Sequence, residues 1–292
     1  MNILVTGANG QLGLELRNLT AHSENRFLFS DVCTIPDIET LNLDITDIEA
    51  VRIIAEAEDI DVIVNCAAYT NVDKSEDNVS MAELLNSTAV DNLAQVCKER
   101  NATLIHISTD YVFGGRVNEP LTEESLPDPI GAYGATKLMG ELKVQKSGCK
   151  YLIFRTAWLY SPYGKNFVKT MMQLTAERDN LKVVYDQIGS PTYAGDLAKL
   201  IFQVIEKNQL DQTGLYHFTD EGVISWYDFA KAICEIAGNQ CDIRPCRTAE
   251  YPTRSQRPAY SVLDKAKVKK TFGITIPYWK DSLANCIELM KP

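Results

Sequence analysis

Apolar residues fall into two alternating kinds of segment along the chain. Short, near-continuous runs at Ile3–Thr6, Phe27–Ser30, Asp61–Cys66, Thr103–Ser108 and Tyr151–Arg155 predict strands. Helical patterns separate several of them; Leu12, Leu14, Leu16 and Leu19, for example, suit one apolar helix face. A series of this kind predicts βαβ units and an α/β fold with a parallel sheet. Val62-Ile63-Val64 shows no polar alternation, so its strand is expected to be buried on both faces beneath covering helices. After about residue 155 the regularity fades into stretches rich in aromatic, proline and polar residues: Trp158–Asn166, Gly189–Thr192 and Tyr251–Tyr260.

The turn after the first strand carries Thr6-Gly7-Ala8-Asn9-Gly10-Gln11-Leu12-Gly13. Glycines at a strand-to-helix turn are suited to a pyrophosphate: Gly7 permits the tight turn, Gly10 lets backbone N–H groups approach, and Gly13 allows the helix to pack on the strand. Gln11 and Leu12, the first residues of the helix, join them as candidate cofactor contacts. The expected fold is therefore a Rossmann-type doubly wound parallel sheet with a smaller C-terminal α/β substrate lobe. The division reads as a dinucleotide-binding domain over 1–155 and a substrate lobe over 156–292. A segment near 180–206, including the helix-like Asp196–Glu206, is expected to return to the first domain.

Sheets of this kind bind ligands beyond the carboxyl ends of their strands. That rule selects Asp31, Ala67, Ala68, Tyr69, Thr70, Thr109, Asp110 and the stretch Thr156–Trp158. Asp31, after the second strand, is placed to accept hydrogen bonds from the adenosine ribose hydroxyls. It favours NADH over a cofactor with a 2′-phosphate, although both NADH and NADPH stay open. Asn65-Cys66-Ala67-Ala68 ends a strand with small residues that leave room for a cofactor. Asn86, on a predicted helix, is read as structural. Tyr133 and Lys137 are four residues apart and share a helix face. A phenol titrates near ~10 when unperturbed, and a nearby ammonium would lower that value. The pair suits carbonyl reduction, with Tyr133 as proton donor, Lys137 tuning it, both reaching the cofactor with Lys137 at the nicotinamide ribose, and Thr109 orienting the substrate oxygen.

The chain has 292 residues, 45% hydrophobic and 23% charged, which is ordinary globular composition. Its net charge of -10 argues against a nucleic-acid partner. No apolar run reaches bilayer length, and Ile3-Leu4-Val5 begins at once without a signal sequence, so the expectation is a cytoplasmic protein with no membrane contact. The eight cysteines lack a C-x-x-C pair, and none of the three histidines, His22, His106 and His217, has a second ligand at metal spacing. No metal site is assigned, and His106 reads as a core residue.

The glycine spacing, G-x-x-G-x-x-G, resembles that of short-chain dehydrogenase/reductases. Further stretches narrow the likeness: Thr70-Asn-Val72-Asp73-Lys74, Ser108-Thr109-Asp110-Tyr111-Val112-Phe113, Arg155-Thr-Ala-Trp158 and Asn166-Phe-Val-Lys-Thr-Met171. With Asp186-Gln187-Ile-Gly-Ser-Pro191-Thr192 and Arg257-Pro258-Ala-Tyr-Ser261-Val-Leu263, they resemble the dTDP-4-dehydrorhamnose reductase family over essentially the whole chain. The resemblance implies reduction of the 4-keto group of dTDP-4-dehydro-β-L-rhamnose. It also implies that Asp44 and Ile45 border adenine, although Asp44 could equally cap the helix starting near Asp47. Val72, Asp73, Lys74, Trp158, Asn166 and Arg257 become substrate candidates, with Arg257, Lys74 or Lys165 meeting the phosphates. Trp158 reads alternatively as a core aromatic between lobes. Some members of the family hold Mg²⁺ at a dimer interface through acidic side chains. Glu15 and Asp196 stand where two of these would lie and Glu288 near a third, and neither Mg²⁺ nor a homodimer is assigned.

Other functions fit the fold. A dTDP-glucose 4,6-dehydratase resembles the chain in its Tyr/Lys pair but carries Asp-Glu after the threonine, where this chain has Asp110-Tyr111. A sugar epimerase shares only the fold. A non-catalytic regulatory subunit resembling methionine adenosyltransferase β, or a reductase of another 4-keto nucleotide sugar, are the remaining readings.

Overall fold

The computed structural model describes residues 1–291. The His22 side chain, read above as lacking a metal partner, lies outside the described residues. The first part of the chain lays down β1 (Asn2–Thr6), α1 (Gln11–Leu19), β2 (Arg26–Asp31), β3 (Leu41–Asn42), α2 (Ile48–Ala57), β4 (Val62–Asn65), α3 (Val72–Asp77), α4 (Val79–Glu83), α5 (Ala89–Arg100), β5 (Thr103–Thr109), α6 (Ala132–Ser147) and β6 (Lys150–Thr156). The rest adds β7 (Leu159–Tyr160), α7 (Phe167–Glu177), β8 (Asn180–Val184), β9 (Ile188–Gly189), β10 (Thr192–Tyr193), α8 (Ala194–Glu206) and β11 (Gly214–His217). It closes with β12 (Ile224–Ser225), α9 (Trp226–Ala237), β13 (Asp242–Cys246), α10 (Ala266–Phe272) and α11 (Trp279–Glu288).

Seven strands form one sheet in the order β11-β6-β5-β4-β1-β2-β3, and every pairing in it is parallel. The five strands expected from the apolar runs are β1, β2, β4, β5 and β6. Successive strand residues point to opposite faces, and here both faces are covered. Ile3, Val5, Val62 and Val64 pack with α1 and α8, while Leu4, Ile63, Leu104 and Ile153 pack with residues of α2 and α5. Among the described residues no helix is long and apolar enough to cross a membrane.

A separate apolar cluster, including Tyr160, Val168, Phe229, Ile233, Trp279 and Leu283, forms the smaller lobe. The return to the sheet differs from expectation. Asn180–Val184 pairs with β13 and stays in the small lobe, whereas α8 packs on α1 and β11 adds an edge strand beside β6. Val268 and Phe272 of α10 join the same sheet-facing core. The return therefore begins at Ala194 rather than near 180. Leu181 and Val183 are buried beside exposed Lys182, an alternation that announces a strand but not which strand pairs with it.

One buried ion pair fixes the helix that carries Tyr133. Arg155 on β6 donates to both carboxylate oxygens of Glu141 on α6, at 2.9 and 2.7 Å, with side-chain exposures of 3% and 1%. The guanidinium also lies over the Phe113 ring, 4.9 Å from its centroid, and beside His217 Nε2 at 3.4 Å. Burial, with the Arg155 charge, pushes His217 down to about 3, so the imidazole is neutral. Removing one partner of such a pair leaves an uncompensated buried charge. Arg155→Leu is expected to destabilise the fold by about 3–5 kcal/mol in chemical denaturation, and replacing Glu141 by Leu in the same chain should recover part of that loss.

Candidate active site

The strand tips of β1, β4 and β5 open onto a cavity of about 600 Å³ between the sheet and the small lobe, within the range that takes cofactors and small ligands. Gly10, Gln11, Leu12, Ala67, Ala68 and Thr70 line its cofactor side. Gly7 has φ +63, and a Cβ there would meet Ala67 N at 2.5 Å, while a Cβ on Gly13 would meet Ala8 Cα at 2.5 Å. Both glycines therefore act through backbone proximity. Gly10 caps α1 without any side-chain acceptor, which leaves the helix N-terminus suited to an external anion. These features fit a dinucleotide diphosphate.

The adenosine-side candidates lie apart from that cavity. Asp31 Oδ2 accepts the Asn9 N–H at 3.0 Å and Oδ1 the Cys33 N–H at 2.9 Å, so the carboxylate ties the tip of β2 to the glycine turn. Asp44 Oδ1 accepts from the Thr46 N–H and hydroxyl. It does not cap α2; Asp47 does, accepting from the Glu49 and Ala50 N–H groups. The Ile45 side chain is buried in the apolar core against α2 and α5 rather than turned to a ligand. Tyr69 lies outside the cavity lining, its N–H and carbonyl both held by Asn86 at 2.9 and 3.1 Å.

Thr109, Tyr133 and Lys137 converge on one wall of the cavity. Thr109 ends β5, donates to Asp110 Oδ1 at 3.0 Å and accepts the Tyr111 N–H at 3.2 Å. It is thus a turn cap as well as a cavity residue. Lys137 is 2% exposed and donates to the Ile107 carbonyl at 2.6 Å. Burial pushes it down to about 8 against the opposing charge of Glu141. The lowered phenol expected from the spacing is not found. Burial raises the Tyr133 phenol above its ordinary value, the Thr109 hydroxyl opposes that rise, and Asp110 and Tyr111 add to it. Helical spacing puts both side chains on one face, but the ammonium turns to the strand tip and desolvation dominates at the phenol. Asp110 is buried, and this pushes its carboxyl up to about 6, with the Ser261 and Thr109 hydroxyls opposing; Oδ2 still has no well-directed hydrogen bond.

Trp158, Asn166, Val72 and Arg257 line the substrate end. Trp158 stacks on Trp226 with centroids 3.7 Å apart and holds φ +49, a left-handed backbone rare for so large a residue. Gly189 lets it lie flat, since a Cβ there would meet the indole at 2.8 Å. Asn166 plays a scaffold role: it caps α7 by accepting the Lys169 N–H and donates to Gln11 Oε1 and Ser161 O at 2.9 and 2.7 Å. Lys165 lines the cavity, whereas Lys74 is exposed outside its lining. Asp73 is also off the lining and holds Arg257 instead, at 2.7 Å. Tyr111 and Trp226 also line the cavity, although the sequence reading assigns neither to the site. Tyr111 packs edge-on against Tyr133 at 5.5 Å, and Trp226 opens a helix of the distant small lobe.

Two of the three acidic residues implied for Mg²⁺ are engaged by other side chains. Asp196 accepts from Ser282 Oγ at 2.5 Å and from Lys199 at 2.9 Å, and exposed Glu288 pairs with Lys291. Burial raises the Glu15 carboxyl, and Glu15 Oε1 is enclosed without a partner. Among the described residues no group of three or more His, Cys, Asp or Glu side chains is gathered to hold a metal.

The family model described as RmlD substrate binding domain matches residues 1–291. The chain is 39% identical over 292 residues to a dTDP-4-dehydrorhamnose reductase of Aggregatibacter actinomycetemcomitans, covering 97% of each chain. A dTDP-4-dehydrorhamnose reductase structure from Clostridium acetobutylicum superposes with a TM-score of 0.92 at 42% identity, covering 99% of both chains. The Bacillus anthracis reductase, solved in complex with NADP, gives 0.91 at 37% identity, again over 99% of both.

The raised Asp110 carboxyl carries a sign for stability. The folded state holds this proton more tightly than the unfolded chain, so its contribution is present at low pH and lost as pH rises from about 4 through about 6. Asp110→Asn keeps the acceptor for Thr109 and cannot ionise. Its thermal midpoint should exceed that of the natural chain by more at pH 8 than at pH 4, with a full difference of about 3 kcal/mol.

Proposed function

The chain belongs to the dTDP-4-dehydrorhamnose reductase family, and from that premise we propose that it reduces the 4-keto group of dTDP-4-dehydro-β-L-rhamnose to dTDP-β-L-rhamnose with NADH or NADPH. The observation that carries the reading is the convergence of Thr109, Tyr133 and Lys137 on a cavity whose far side holds Trp158 and Arg257. When bound at the glycine turn, the nicotinamide cofactor supplies a hydride. The residues of the chain handle the proton. Tyr133 keeps its proton at neutral pH because burial raises the phenol, and it gives that proton to the substrate oxygen as the carbonyl becomes an alcohol. Thr109 orients the same oxygen by its hydroxyl. Lys137, whose ammonium is held at the strand tip by the Ile107 carbonyl, binds the nicotinamide ribose and so keeps the cofactor beside Tyr133. Arg257 faces the diphosphate, which offers a charge-assisted partner, and Trp158 gives the sugar a flat apolar wall.

The reading keeps the cytoplasmic location expected from the sequence. Dehydration is disfavoured, because Tyr111 stands where that reaction needs a second carboxyl group.

The test is oxidation of NADH and of NADPH, followed by absorbance, with dTDP-4-dehydrorhamnose generated in situ and dTDP-4-keto-6-deoxyglucose as control. Oxidation is expected with the rhamnose precursor; a folded, cofactor-binding protein that oxidises neither cofactor would overturn the proposal. Tyr133→Phe should retain cofactor affinity and lose about 10²- to 10⁴-fold in turnover. Turnover should also fall as pH rises through about 8, where the Lys137 ammonium is lost.

A further inference from the structure

The helix that carries Tyr133 lacks a cap of its own. Gly131 occupies the N-cap of α6 and brings no side-chain acceptor. The acceptor arrives from elsewhere: Glu76 on α3 takes the Ala132 N–H on Oε1 at 3.0 Å. The same oxygen accepts the Ser255 hydroxyl at 2.8 Å, and Ser255 belongs to the loop 251–257 that reaches across from the small lobe. Gly131 is what admits them, since a Cβ there would lie 2.7 Å from Glu76 Oε1 and 2.8 Å from Ser255 Oγ.

The other acidic residues of α3 hold the same loop. Asp73 accepts the Ser255 N–H at 3.0 Å and pairs with Arg257 at 2.7 Å, and Asp77 pairs with Arg254 at 2.7 Å. Arg257 then donates to the Tyr111 hydroxyl at 3.1 Å. Tyr111 in turn packs edge-on against Tyr133, and its carbonyl abuts Gly134 on α6. Two contact chains thus run from one loop to Tyr133, through Glu76 to the residue before it and through Arg257 and Tyr111 to its ring.

We propose that Glu76 is a positioning residue, capping the Tyr133 helix in trans and coupling that cap to the seating of loop 251–257 over the cleft. This deepens the reductase reading and rests on it, because Arg257 of the loop lines the cleft assigned to the nucleotide sugar. The pair Asp73–Arg257 is partly exposed, with side-chain exposures of 43% and 18%. Such a pair contributes little by itself, so the loop is held by several contacts whose common member with α6 is Glu76. A shift of about 1 Å in a reacting group costs on the order of 10²-fold in rate, which sets the scale for losing the cap.

The test compares Glu76→Ala with Glu76→Gln in the full chain, measuring kcat, KM for the keto sugar, NADH dissociation constant and trypsin cleavage after Arg254. Glu76→Ala is expected to lower kcat by about 10- to 10²-fold, leave NADH affinity unchanged and speed cleavage after Arg254. Glu76→Gln keeps an oxygen acceptor for Ala132 and Ser255, and should recover most of the turnover and the protection. A folded Glu76→Ala with natural kcat, or a Glu76→Gln as impaired as the alanine variant, would overturn the proposal. If the natural chain reduces no keto sugar, the reductase reading fails by itself; faster cleavage in Glu76→Ala alone would still support the loop junction, and unaltered cleavage would overturn it.

Discussion

The hydrogen bond from the Lys137 ammonium to the Ile107 carbonyl joins a helix to the tip of a strand inside the sheet, and the site is arranged around that joint. A charge that is 2% exposed is costly to bury. It is tolerated because a strand carbonyl receives it at 2.6 Å and the Glu141 carboxylate, one helical turn on, contributes opposing charge. Glu141 is itself neutralised by Arg155 from the next strand. The helix is thereby pinned to β5 and β6 along its length, and Glu76 holds its first turn. Tyr133 needs no mobile element to reach the cleft, because the backbone beneath it is fixed by contacts from three different parts of the chain.

The small lobe is bound into the same architecture. After β10 the chain re-enters the first domain through α8 and β11, leaves it, and returns again with α10. Loop 251–257 lies between two such anchors, so its reach toward α3 is set by the sheet as well as by the lobe. Trp158, one residue after the buried tip of β6, is held by stacking on Trp226 and by its left-handed backbone. Both indoles line the cavity.

The parallel sheet was legible because fully buried strands are continuous in apolar residues, and the glycine turn because its spacing follows from backbone clearance. The two strands of the seven-stranded sheet not expected from the apolar runs show the limits of that signal. Leu41–Asn42 is too short and too exposed to stand out, and Gly214–His217 is an edge strand whose neighbour β6 lies far away in sequence. Asp44 and Asp47 carry the same local chemistry three residues apart, and only the backbone tells which one caps α2. Asn166 resembled a ligand contact from its surroundings in sequence, yet its amide is engaged by Gln11 and Ser161. Glu76 and Ser255 were invisible for a related reason: an acid on a short polar helix looks solvated until the loop that meets it is in place.

The order of strands and helices along the chain, the glycine turn and the pairing of Tyr133 with Lys137 on one helix face are set by the sequence, because each depends on residues within a few positions of one another. Backbone sterics and helical period act over that range. The protonation tendencies of Tyr133, Lys137 and Asp110, the stacking of Trp158 and the capping of the catalytic helix by Glu76 were decided only by the tertiary structure. Desolvation and charge act through space, between groups separated by 184 residues in the Asp73–Arg257 pair. No local pattern of residue types records which groups will meet or how much water will remain between them.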